Sequence, residues 1–169
     1  MDAELEQLAQ RIGEQLLARG WRLASAESCT GGLAAALITT VAGSSQWFDR
    51  GFVSYSNLAK QQMLGVSAAT LERHGAVSEQ TVAAMAAGAL QHSQARVALA
   101  ISGIAGPGGG TVDKPVGTVC LAWCAADHPG RTLTTHFTGD REAIRRQAVR
   151  AALDGVLILL EGLDRGHGG

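Results

Sequence analysis

Aromatic residues are scarce in this chain: three Trp, three Phe and one Tyr make up 4% of 169 residues. A core must therefore be built from aliphatic side chains and alanine, and Tyr55 holds the only phenolic hydroxyl. Cysteine is scarce as well; three is an odd number, which argues against a disulfide framework. If Cys120 and Cys124 share a strand, their Cα atoms stand ~13 Å apart at ~3.3 Å per residue, too far for a disulfide. The five histidines are scattered, with neither an H-x-x-x-H nor a paired C-x-x-C pattern, so no metal site is expected. His74, His92, His128 and His136 have no partners at telling spacing.

Long hydrophobic runs are missing too. The longest apolar stretch, around Val156 to Leu160, is far shorter than a membrane span. The N-terminus lacks a basic segment followed by an apolar one, so it does not read as a signal peptide, and a cytoplasmic location is expected. Neither sign of charge dominates: 14 Lys and Arg against 15 Asp and Glu give a net charge of -1. The chain as a whole attracts neither nucleic acid nor an anionic membrane, and any anion site must be local.

What is present is a 46% apolar, 17% charged composition, that of one compact globular domain. Leu5, Leu8, Ile12 and Leu16 recur at helical spacing up to Gly20, predicting a first helix over 4–19. A short strand over Trp21 to Ala26, a tight turn at ESCTGG and a helix through LAAALITTV follow. Gly51 to Ser56 reads as a strand, with Asn57 as N-cap of a helix through LAKQQML. A short helix between Ser67 and Gly75 precedes an alanine-rich one from Ser78 to about His92. Strands are expected in ARVALAISG, VGTVCLAWCAA and RTLTTHFTG, and Asp140 opens a last helix to about Leu160. The order predicts an α/β fold: a single three-layer domain over 1–162, a mixed β-sheet with helices on both faces, and a flexible tail at 163–169. The alanine-rich helix suits a homodimer.

Four constellations can carry chemistry. In Glu27-Ser28-Cys29-Thr30-Gly31-Gly32, a serine at a strand-to-helix turn lies beside first-turn N–H groups that can bind an oxyanion or phosphate. The plain alternative is that Ser28 or Thr30 caps the helix. In Tyr55-Ser56-Asn57-Leu58-Ala59-Lys60, an N-cap at Asn57 puts Lys60 in the first turn, where a cation opposes the helix dipole. Dipole and burial together would move its pKa from ~10.4 toward the ~7–8 of a general base. A solvated lysine and a core tyrosine are the structural alternatives for Lys60 and Tyr55; the functional role of Tyr55 is to orient Ser28 or relay a proton.

The glycine loop from Ser102 to Gly110, which includes Gly103 and Gly106, lacks the phosphate-loop and dinucleotide patterns. It is either a flexible connection or a backbone wall for a flat ring. Arg141 and Arg145 lie one helical turn apart near a helix start. They form either a solvated face, with Glu142 pairing to Arg146, or a phosphate clamp. Cys29 rivals Ser28 as nucleophile, since a thiol at a helix N-terminus can be acidified; a small packing residue is its other role.

Taken together, ESCTGG, YSNLAKQQMLGV, HGAVSEQ, SGIAGPGGGTVDKPVGTV and GDREAIRRQAV resemble the CinA C-terminal family from about Leu5 to Leu160. The larger N-terminal domain often attached in that family is not in this sequence, so the resemblance is to a stand-alone form. It implies hydrolysis of the carboxamide of nicotinamide mononucleotide to nicotinate mononucleotide and ammonia, without cofactor. The family's serine, tyrosine and lysine fall on Ser28, Tyr55 and Lys60, and Thr30, Gly31, Gly32 and the glycine loop match its motifs. Leu58 stands where the family often has an acidic residue. A nucleotide-binding or regulatory module without turnover is the competing expectation.

Overall fold

The computed structural model describes residues 2–167. Helix α1 (Ala3–Arg19) starts at Asp2, whose side chain accepts a hydrogen bond from Glu4 N, and ends at Gly20, left-handed at φ 68°. Its buried residues include Leu5, Leu8, Ile12 and Leu16, the stripe expected from their spacing. Strands β1 (Leu23–Glu27), β2 (Phe48–Val53), β3 (Val97–Gly103), β4 (Thr118–Ala125) and β5 (His128–His136) form one sheet in the order β2-β1-β3-β4-β5. β1 is parallel to β2 and β3, while β4 and β5 add antiparallel, so the sheet is mixed as expected. Alternate strand residues face opposite sides, and here they alternate in size. Leu23, Val97, Leu99, Ile101, Val119, Leu121 and Trp123 pack against α1, α2 (Leu33–Ile38) and α6 (Arg141–His167). On the other face Ala24, Ala26, Ala98, Ala100, Cys120 and Ala122 meet α3 (Asn57–Leu64), α4 (Ala68–His74) and α5 (Glu79–Gln91).

Small residues on that second face let the alanine-rich α5 approach closely, burying Val82, Met85, Ala86 and Ala89. At Gly88 a Cβ would collide with the carbonyl oxygen of Leu64, so α3 and α5 touch through backbone. On the opposite face Gly155 makes room for the Trp123 ring, whose Nε1 donates to Ala152 O at 2.7 Å.

Several boundaries differ from the sequence expectation, among them three in β2, α3 and α6. β2 begins at Phe48 and ends at Val53, because parallel pairing with β1 runs from Leu23 with Phe48 to Glu27 with Val53; Ser54 and Tyr55 leave the sheet. The N-cap of α3 is Ser56, whose hydroxyl accepts from Ala59 N at 3.0 Å, so Asn57 is the first helical residue and Lys60 the fourth. Helix α6, opened by Asp140 accepting from Ala143 N, continues to His167 rather than ending near Leu160. The last two residues of the tail set off at 163–169 lie outside the described residues.

The loops leaving the carboxyl ends of the neighbours β1 and β3 run to opposite sides, one toward β2 and the other toward β4. Open α/β sheets bind ligands at such a reversal. Ser28 follows β1 directly at this place.

Candidate active site

The turn after β1 is tightly closed. Ser28 N donates to Ile101 O at 3.0 Å, Gly31 N to Ser28 O at 3.0 Å and Leu33 N to Thr30 O at 2.9 Å. Gly31 and Gly32 have φ of 56° and 102°, where a side chain is strained. The first-turn N–H groups expected to receive an anion already have one. The carboxylate of Glu27 accepts from Ala34 N at 2.9 Å, Ala35 N at 3.1 Å and Thr30 Oγ1 at 2.6 Å. Thr30 therefore braces the turn from inside, at 0% exposure. The N–H groups of Cys29, Thr30 and Gly32 are not used by these bonds.

Lys60 reaches this turn from across the sheet edge. Its Nζ lies 2.9 Å from Ser28 Oγ, 3.0 Å from Ser54 O and 3.1 Å from Tyr55 O. The residue is 1% exposed, and none of the ion pairs among the described residues includes it. Burial lowers its pKa from the ordinary 10.5, opposed by any negative charge on Cys29. The helix dipole contributes less than the sequence suggested, because Lys60 is the fourth helical residue and its own N–H is already paired to Ser56 O. Lys60 donates to the two carbonyls and to Ser28 Oγ, whose own proton faces Tyr55 O at 3.5 Å; loss of one proton from the amine would leave a lone pair facing the serine oxygen.

Tyr55 joins the site mainly through its backbone. Its carbonyl oxygen accepts from Lys60 and, at 3.5 Å, from Ser28 Oγ, while the side chain is 61% exposed. Its hydroxyl accepts from Arg141 Nη2 at 3.3 Å, and Arg141 Nη1 donates to Gly106 O at 2.8 Å, so one guanidinium spans the glycine loop and the tyrosine. Arg145 donates from Nε to Cys29 O at 3.1 Å and from Nη2 to Thr30 O at 3.0 Å. Both arginines line a cavity of about 310 Å³ with Leu33, Glu142 and Arg146. Arg146 Nε is 3.3 Å from Glu142 Oε1, so the expected surface pair forms beside them. Gly103 is required for packing: a Cβ there would come within 2.7 Å of Val119 Cγ2 and 2.9 Å of Thr118 O.

Cys29 is 8% exposed, and burial pushes its pKa up to about 11 against the opposing pull of Arg145. The thiol is protonated near neutrality and is a poor nucleophile. Among the described residues no group of three or more His, Cys, Asp or Glu could hold a metal ion. No helix among them is long and apolar enough to cross a membrane.

Two residues of the site carry no sequence expectation of a role: Glu27, inside ESCTGG, and Ser54, which offers its carbonyl to Lys60 while its N–H donates to Glu27 O at 2.8 Å and which lies beyond the end of β2. An acidic residue at the end of a buried strand was the one available signal for Glu27.

Fold and site together define a doubly covered α/β protein with a buried serine–lysine pair at the switch point of its sheet. The chain belongs to the CinA C-terminal domain family, whose model matches residues 5–160. It is 56% identical over 152 residues to the nicotinamide-nucleotide amidohydrolase PncC of Escherichia coli, covering 90% of this chain and 92% of that one. The protein of the same name from Pseudomonas putida is 51% identical over 154 residues, 90% of this chain and 94% of its own. Among solved structures, the competence/damage inducible protein CihA from Agrobacterium tumefaciens superposes with a TM-score of 0.92 at 47% identity, over 95% of this chain and 98% of that one.

Proposed function

We propose that the chain is an amidohydrolase that converts nicotinamide mononucleotide to nicotinate mononucleotide and ammonia through an acyl-serine. The observation that carries this is the 2.9 Å contact between Lys60 Nζ and Ser28 Oγ in a buried site where, among the described residues, no carboxylate pairs with the lysine. The relatives named nicotinamide-nucleotide amidohydrolase support the substrate.

Neutral Lys60 takes the hydroxyl proton as Ser28 Oγ bonds to the carboxamide carbon. N–H groups left over in the turn from Cys29 to Gly32 stabilise the oxyanion. Lys60 then returns the proton to the departing nitrogen, which leaves as ammonia. Water, deprotonated by the same amine, cleaves the ester and restores Ser28. The pyridinium charge makes the carboxamide more electrophilic. Tyr55 seats the lysine through its carbonyl and lends its ring and hydroxyl to the rim. Gly103 and Gly106 wall the ring side, and Arg141 and Arg145 take the 5′-phosphate. The homodimer and cytoplasmic location expected from the sequence stay within this reading, and light scattering on purified protein tests the first.

The deciding experiment incubates purified protein with nicotinamide mononucleotide, nicotinamide riboside and nicotinamide, and measures ammonia and the acid product. Release from the mononucleotide that vanishes in Ser28→Ala is the expected result. Equal, negligible release from all three would discard the reading.

A further inference from the structure

We propose that Glu27 is a positioning residue for the nucleophile, its buried carboxylate holding the turn that presents Ser28 to Lys60; this rests on the amidase reading above. Glu27 is 0% exposed. Burying a carboxylate is unfavourable unless donors replace the lost water. Three do so: the Thr30 hydroxyl and the N–H groups of Ala34 and Ala35, at the positive end of α2. Capping alone does not account for the arrangement, since a helix is ordinarily capped by a short polar side chain at the N-cap itself. Here that position is Gly32 at φ 102°, which makes no side-chain cap, and the cap comes from the residue next to the nucleophile.

The consequence is a turn held at both ends of its peptide dipoles. From inside, Glu27 takes donors at positions 30, 34 and 35; from outside, Arg145 gives donors to the carbonyls of Cys29 and Thr30. Ser28 is thereby fixed between a strand and an anchored helix start. Glu27 also reaches the lysine side, because its main-chain oxygen accepts from Ser54 N at 2.8 Å and Ser54 Oγ at 3.3 Å, and Ser54 O accepts from Lys60 Nζ. One residue thus sets the nucleophile against its base without a hydrogen bond to either reacting side chain.

Steady-state kinetics on Glu27→Gln with nicotinamide mononucleotide tests this. The amide keeps the volume and one acceptor but turns an NH2 group toward a donor. The expected variant is folded by circular dichroism, with kcat lower by about 100-fold and KM within about threefold, since misplacing a reacting group by ~1 Å has an effect of that size. Thr30→Val should lower kcat by about tenfold at unchanged KM, as expected for loss of one hydrogen bond, and Thr30→Ser should recover activity relative to it. A folded Glu27→Gln with kcat within about threefold of wild type, or a loss carried by KM, overturns the proposal. If Glu27→Gln does not fold, the threonine pair decides: equal losses in Val and Ser overturn it. Wild-type protein that releases no ammonia overturns the amidase reading and this one with it, whereas turnover that survives Glu27→Gln overturns only the positioning role.

Discussion

Lys60 Nζ meets Ser28 Oγ at 2.9 Å although 32 residues separate them, and its other two hydrogen bonds go to main-chain carbonyls. No ion pair among the described residues holds the lysine charged, so activity should follow its deprotonation. The kcat/KM profile should rise with pH through an apparent pKa below 10.5. Lys60→Met should still bind the mononucleotide by calorimetry and lose at least about 100-fold in kcat, the range of one general base. A near-normal rate would take the lysine out of the reaction.

The same shift makes a prediction about stability. Because burial lowers the folded-state pKa of Lys60 below its unfolded value, the unfolded chain binds more protons between the two values. Wild-type stability should therefore rise, relative to Lys60→Met, as pH increases from the folded pKa toward 10.5, and be flat below that window. Urea midpoints of the two proteins across this range give the comparison; a difference that falls with rising pH would contradict it.

Ser28 and its neighbour Cys29 are distinguishable by titration. With the thiol at about 11, Cys29→Ala should retain turnover within about threefold, whereas Ser28→Ala should abolish it, as loss of a nucleophile does. The reverse pattern, read from ammonia release, would transfer the chemistry to sulfur.

How much of this was legible in the sequence depends on where each interaction is decided. The unusual placing of Lys60 and the glycines after Ser28 are local features, and both mark the site. The cap of α3 differs by one residue from the expected Asn57 because Ser56 and Asn57 are both good N-caps, and the structure uses the one whose hydroxyl meets Ala59 N. β2 differs from the strand expected over Gly51 to Ser56 because register with β1, not local propensity, ends it at Val53. Glu27 was unreadable as a clamp: its partners at Ala34 and Ala35 come within reach only once the turn has reversed the chain. Whether Tyr55 works through its hydroxyl or its carbonyl is likewise invisible in a string of side chains.

The two arginines at the head of α6 should separate in kinetics. Arg141 donates to Gly106 O and to the Tyr55 hydroxyl at the rim. Arg141→Ala should raise KM for the mononucleotide about 10- to 100-fold more than for the riboside, the worth of one charged hydrogen bond, with kcat little changed. Arg145 also holds Cys29 O and Thr30 O, so Arg145→Ala should lower kcat for both substrates in addition. Identical kinetic changes in the two variants would argue against this division.

Packing far from substrate should reach the same pair of side chains. Gly88 in α5 has no room for a methyl group, because the carbonyl oxygen of Leu64, the last residue of α3, occupies that space. Alanine would favour the helix by about 1 kcal/mol, but the collision is with backbone and overpacking costs about 1–3 kcal/mol. Relief requires α3 to move away from α5, and Lys60 sits one turn before Leu64 on that helix. Gly88→Ala should therefore lower the unfolding midpoint by up to about 8 °C and reduce kcat while leaving KM close to wild type. A variant as stable and as active as wild type would show that α3 can shift without carrying the lysine off the serine.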